Sequence, residues 1–270
     1  MSLLAKSFVT SVLFIFLNSS ILYAKKDVLY LSIFPYLTPG KVIKHNKELK
    51  EYLSKALNRP VSIVSARSIP RYVKGIKTST HQLVLAPPHV GRMAQKVSNY
   101  KPLAIATQPI QVHFMVKKSS PIKSLSDLKD KTISMAPPKA IIHQLAVEDL
   151  TKAGLVIGKN ITHLSTKGHV NALLELLKGN SDAAITGNNI WTRISMKQKK
   201  QLKLLHEGAQ APGFIMLGHP QLESKLLTKI SQALLKFHTS KKAKNYLFKS
   251  FTKIDQKTLK SLDKYILHLK

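Results

Sequence analysis

From residue 28 onward, short apolar runs alternate with amphipathic stretches, the pattern of an α/β fold whose strands are buried and whose helices cover them. VLYLSIF (28–34) is predicted as a buried strand, and Thr38-Pro39 supplies an N-cap and a first-turn proline for a helix. Along that helix Val42, Ile43, Leu49, Leu53, Ala56 and Leu57 recur at helical spacing. PVSIVSA (60–66) reads as a second strand, and a weaker helix follows over 69–78. Next come a strand at LVLA (83–86), a helix over about 89–97 and a strand at PLAIAT (102–107).

The same alternation continues beyond residue 109. IQVHFMV (110–116) is a strand, SPIKSLSDLKDKTISMA holds a short helix and another strand, and a helix from Ala140 ends at Gly154. NITHLST (160–166) is a strand, a helix from His169 stops at Gly179, and DAAIT (182–186) closes the unit. KLLHEG (203–208) and GFIMLG (213–218) read as strands leading back, before helices over 222–238, 241–251 and 257–268. With no long linker, two halves of this size are joined by crossing strands. The expected division is a lobe 1 of residues 25–108 and 209–270 and a lobe 2 of residues 109–208.

The first 24 residues read differently. MSLLAKS, an apolar stretch and Ala24 before Lys25-Lys26 match a secretory signal cut after Ala24. The uninterrupted apolar run from Val12 to Leu17 is too short to span a bilayer. The absence of cysteine excludes disulfides, a thiolate nucleophile, a cysteine-held metal and a lipid-anchored cysteine. A chain exported to a periplasm, without a lipid anchor, is the expectation.

The 43 Lys+Arg against 13 Asp+Glu give a formal charge of +30, which favours anionic partners in general. Only Arg59, Arg67, Arg71, Arg92 and Arg193 are arginines, so the planar fork that grips phosphate in pairs is scarce. Basic residues interleaved with stacking aromatics are missing as well, and nucleic acid is not an expected partner. No paired carboxylates, zinc-spaced histidines, nucleophile elbow or P-loop can be found, so neither catalysis nor a cofactor or metal is expected.

What remains is a repeated unit. LVLAPPHVG (83–91) and ISMAPPKAI (133–141) each run a buried strand into Pro-Pro and then a basic residue at a helix start. Ligands of open α/β sheets lie beyond the carboxyl ends of strands, where helix N-termini offer free N–H groups to an anion. His89 and Lys139 would then face one cleft from two lobes, unless the prolines simply end the strands. His169 and Asn171 in GHVNALL, Asn188 in GNN, and Tyr36 and Thr38 after the first strand stand at comparable positions, each also explicable as cap or loop.

In FPYLTP with KELKEYLSKALNRPVSIVSA, QLVLAPPHVGRMAQ, SPIKSLSDLKDKTISM and GHVNALLELLKGNSDAAITG, the chain resembles the periplasmic phosphonate-, phosphite- and phosphate-binding proteins of ABC importers, from about residue 28 to at least residue 220. The resemblance implies a two-lobed periplasmic-binding-protein fold, each lobe a mixed, mostly parallel sheet flanked by helices, with the ligand cleft between lobes. It implies capture of a small oxyanion for ABC permease subunits by a monomer that makes no bond. A receptor for a membrane sensor kinase and a polyanion or envelope-surface binder are the alternatives. Of the expected ligand set, Tyr36, His89 and His169 are what the resemblance implies, while Thr38, Lys139, Ala140, Asn171 and Asn188 join them from their own positions at strand ends and helix starts. Where family members have a Ser/Thr-rich helix start, this chain has Pro137-Pro138-Lys139-Ala140, and Gly187-Asn188-Asn189 stands where aminophosphonate binders place carboxylates. A small anion without an amine is therefore expected.

Overall fold

The computed structural model describes residues 27–244 and 246–269; the expected signal segment lies outside them. Two sheets organise the chain. The first contains β1 (Leu29–Ile33), β2 (Val61–Ser65), β3 (Leu83–Ala86), β4 (Lys101–Ala106), β10 (Ile215–Gly218) and β11 (Phe251–Thr252), in the order β11-β4-β10-β3-β1-β2. The second contains β5 (Ile110–Lys117), β6 (Lys131–Met135), β7 (Ile161–Ser165), β8 (Ala183–Gly187) and β9 (Leu202–Ala211), in the order β7-β6-β8-β5-β9.

Strand direction records how the chain passes between the sheets. β1 is parallel to β2 and β3, and β6 to β7 and β8, as strand–helix–strand units require. The two strands that follow a crossing run against them. β5 is antiparallel to β8 and β9, and β10 is antiparallel to β3 and β4. The crossing segments touch at Gly213, where a β-carbon would collide with the carbonyl oxygens of Ala106 and Gln108. Any larger residue there would push the two connections apart.

Helices α1 (Pro39–His45), α2 (Lys47–Leu57), α3 (Ile69–Lys77) and α4 (Pro88–Ser98) flank the first sheet. α5 (Ile141–Lys152), α6 (His169–Lys178) and the short α7 (Met196–Lys200) belong to the second. α8 (Ser224–Leu235), α9 (Gln256–Ser261) and α10 (Asp263–Ile266) complete the chain. Leu29, Leu31 and Ile33 of β1 pack with Leu49 and Leu53 of α2 in one core cluster. Another continuous cluster runs from Tyr72, Val84 and Met93 to Ile133, Ile141, Leu145, Leu262 and Tyr265, so it joins elements of both sheets.

Three helices depart from the sequence reading, the one expected over 257–268 being divided at Leu262 into α9 and α10. The helix expected from residue 39 is broken at Asn46, which is fully buried. Its side chain donates to the Val42 carbonyl at 2.7 Å and to the Tyr36 hydroxyl at 3.0 Å, and accepts from the Tyr246 hydroxyl at 2.7 Å. That distant tyrosine satisfies an amide that periodicity cannot foresee. The helix expected over 241–251 is also absent, replaced by a 3-10 turn at Lys241–Ala243 and strand β11. Tyr246, Phe248 and Phe251 are instead spent on an aromatic cluster with Phe237 and Phe214, and burying those rings outweighs a helical backbone.

Candidate functional site

The site is built where β3 and β6 end. β3 is buried along its whole length, and Pro87-Pro88 both ends it and opens α4. Gly91 lets that helix settle on β10, since a β-carbon there would lie 3.1 Å from Ile215 Cβ. His89 is thereby carried inward to 2% exposure. After β6, Pro137-Pro138-Lys139 forms an exposed turn, Ala140 is the N-cap residue and α5 starts at Ile141. The carbonyls leading into this turn are tied down: His143 Nδ1 lies 2.9 Å from the Ala136 oxygen and Thr166 Oγ1 donates to the Met135 oxygen at 3.2 Å.

The two turns meet. His89 Nε2 lies 3.2 Å from the carbonyl oxygen of Lys139, a direct link between elements of the two sheets. A carbonyl can only accept, so Nε2 carries the hydrogen. Burial pushes the imidazole down to about pKa 4, with the Lys139 carbonyl opposing that shift, and His89 is neutral near pH 7. The side chain of Lys139 itself is out in solvent, and its backbone makes the contact.

The other predicted residues are distributed as follows. Tyr36 is half-buried after β1, its hydroxyl held by Asn46 and its ring 6.0 Å from Phe214 in an edge-to-face pair. His169 is half-buried at the first position of α6, a helix fixed to the sheet by Ser134 Oγ, which donates to the Ala172 carbonyl at 2.8 Å. Asn188 is half-buried, and its amide donates to the Pro109 carbonyl at 3.1 Å, fastening the end of β8 to the start of β5. Thr38 and Asn171 are exposed.

Helix ends supply the electrostatics. Side-chain caps close the starts of α3 (Ser68), α7 (Ser195) and α9 (Asp255), whereas α4, α5 and α6, like α1, α2, α8 and α10, begin without one. Of these, α4, α5 and α6 follow the ends of β3, β6 and β7, where first-turn N–H groups and helix dipoles favour an anion. Thr166 links the start of α6 to the end of β6 by touching both the Gly168 and Met135 carbonyls. The resulting donor set can hold an anion. Among the described residues, no group of three or more His, Cys, Asp or Glu could hold a metal ion.

Sequence reasoning overlooked an aromatic wall beside Tyr36: Phe34 stands edge-on to Tyr72 at 5.5 Å and to Phe214 at 6.5 Å. It also overlooked Gln144, buried one turn into α5. Phe34 was visible at the end of a predicted strand, whereas Phe214 joins it only through the antiparallel insertion of β10.

The sequence profile described as "ABC transporter, phosphonate, periplasmic substrate-binding protein" matches residues 31–259. The chain belongs to this family. As a member, it is the periplasmic substrate-binding component of an ABC transporter. The fold is shared with PhnD1 from Prochlorococcus marinus in complex with methylphosphonate, at TM-score 0.77 and 19% identity over 90% of this chain and 98% of that one. A phosphonate-transporter binding protein from Pseudomonas aeruginosa gives TM-score 0.76 at 14% identity, over 90% and 86%. The aliphatic sulphonate-binding protein SsuA from Escherichia coli gives 0.63 at 15%, over 88% and 85%. The expected α/β architecture of two lobes with mixed sheets agrees with these structures.

Proposed function

We propose that this substrate-binding component captures a small oxyanion without an amine, of the phosphonate, phosphite or phosphate class, and delivers it to ABC permease subunits as a monomer. The ligand lies between lobe 1 (25–108 and 209–270) and lobe 2 (109–208), the chain crossing at Gly213. Tyr36, Thr38 and His89 serve from the first lobe; Lys139, Ala140, His169, Asn171 and Asn188 serve from the second. The observation that carries this reading is the meeting of two uncapped helix starts through His89 and the Lys139 carbonyl. Export relies on the leader over residues 1–24.

Thermal unfolding of the purified protein with phosphate, phosphite, alkylphosphonates and sulfate, each at low and moderate salt, tests the proposal. A ligand at a hundred times its Kd adds about 2.7 kcal/mol, a rise on the order of 5 to 10 °C for a chain of this size. One anion should give such a rise and keep it in salt. Small, salt-sensitive rises with every anion would reduce the behaviour to surface charge.

A further inference from the structure

The second sheet gathers lysines at one end. From 183 to 206 the sequence has no Asp or Glu, and this stretch carries α7, with Lys197, Lys199 and Lys200, just before β9. The register of β5 on β9 sets Lys117 against Leu202, and the Lys118 amide donates to the Gln201 carbonyl at 2.8 Å. The close of β5 therefore adjoins the close of α7. The end of α6 meets them too, since a β-carbon on Gly179, next to Lys178, would lie 3.4 Å from Lys117 Nζ. Lys203 donates to the Ser120 carbonyl at 2.8 Å and draws the loop after β5 onto the same end. Val116 pairs with Ala183 at the start of β8, and Val112 with Gly187 at its finish, while β8 runs parallel to β6. This end of the sheet is therefore the one opposite the Pro137-Pro138-Lys139 turn.

Most of these cations are not spent within the chain. Glu175 accepts from Lys178 and Asn180, and Asp127 closes its own loop by accepting the Lys123 and Ser124 amides. Among the described residues, Lys117, Lys118, Lys197, Lys199 and Lys200 form no ion pair. Apolar groups stand among them: Met196 is 67% exposed, and half-buried Trp191 has Lys199 Nζ 5.7 Å from its ring centre. Lysine interleaved with an exposed Met and a partly exposed Trp suits a bilayer interface. The ammonium groups reach headgroup phosphates while the side-chain stems and apolar groups meet the acyl boundary. Lysine, a flexible point charge, also fits a fluid array of phosphates better than it fits one fixed anion.

We propose that this end of the second sheet docks reversibly on an anionic phospholipid surface. The docking is separate from the capture of an anion at the Pro-Pro turns and does not depend on which anion that is. Held in this way, the substrate-binding component stays at the membrane that houses its transporter, with the Pro-Pro turns at the far end of the sheet and clear of the lipid.

Sedimentation of the purified protein with vesicles of phosphatidylcholine alone, and of phosphatidylcholine with an equal part of phosphatidylglycerol, tests the proposal. The protein should pellet with the anionic vesicles only and be released by moderate salt. Lys197→Gln, Lys199→Gln and Lys200→Gln together should weaken vesicle binding at least about tenfold. Lys253→Gln, Lys257→Gln and Lys260→Gln remove the same charge from exposed positions on and beside α9 and should weaken it less than about threefold. Failure to bind anionic vesicles would overturn the proposal. Equal losses in the two triple variants would overturn it as well, because total charge rather than this face would then drive the binding. Should the α7 variant not fold, Trp191, the only tryptophan in the chain, decides in the unmodified protein. Quenching of its fluorescence by bromine-labelled lipid in anionic vesicles would put α7 at the bilayer, and an unquenched signal from bound protein would overturn the docking.

Discussion

Of the two Pro-Pro turns, the one after β3 keeps Pro88 inside α4 and buries the next side chain, while the one after β6 leaves both prolines and Lys139 in solvent and starts its helix at Ile141. Their sequences differ little, so the difference must come from what each helix packs against. α4 has Gly91 facing Ile215 and sinks onto β10, taking His89 with it. α5 buries Ile141, Ile142 and Leu145 instead, which holds its first turn down and the preceding loop out. A basic residue after Pro-Pro is a buried neutral contact in one lobe and an exposed cation in the other.

The largest expected effect tests the buried member. The folded pKa of His89 is depressed to about 4 from 6.5, so the unfolded chain binds more protons between those values. Stability is full above about pH 6.5 and is lost as pH falls toward 4, by about 3 kcal/mol from this group. His81 and His113 are also depressed, chiefly by burial, and add to the same trend. The check is therefore the difference between unmodified protein and His89→Gln in denaturant melts across that window. Parallel curves would place His89 in water and erase the contrast between the turns.

Next in size is the clamp along α4. Arg92 is buried, and its guanidinium holds the Asp263 carboxyl below the usual range. Arg92→Met should cost about 2 kcal/mol, read from urea midpoints. A loss under about 0.5 kcal/mol would mean that α10 does not depend on this pair to stay on α4.

The smallest effect belongs to the exposed turn. Lys139→Ala should leave stability within about 0.5 kcal/mol while lowering oxyanion affinity about tenfold, measured by thermal melts and by titration. A marked loss of stability would show that the second turn is packed like the first. Unchanged affinity would remove the ammonium from the ligand set.

Much of the strand framework was legible because buried strands are written as apolar runs bounded by Pro, Gly and polar turns, as at LVLA and DAAIT. The helix start at His169, the one expected at about His89 and found one residue earlier at Pro88, and the stops at Gly154 and Gly179 were legible for the same local reason. Asn46 and the stretch over 241–251 were not, because their partners lie some 200 residues away in sequence, as the Tyr246–Asn46 hydrogen bond shows. At the candidate site the sequence aimed His89 and Lys139 at one cleft, with plain strand-ending turns as the alternative, and did not foretell that a ring nitrogen of one would meet the carbonyl of the other.

By itself, then, the sequence determined the order of strands and helices, the family, and the basic residues after each Pro-Pro turn, since local pattern and turn chemistry act over a few residues. Only the tertiary structure decided that His89 is neutral and spends its hydrogen on a carbonyl, that Lys139 points to solvent, and that Gln144 is buried in α5. Those properties depend on how closely α4 approaches β10 and α5. Gly91 against Ile215, Gly213 against the Ala106 and Gln108 carbonyls, and the α10 ion pairs with Arg92 and Glu148 are each contacts between distant parts of the chain.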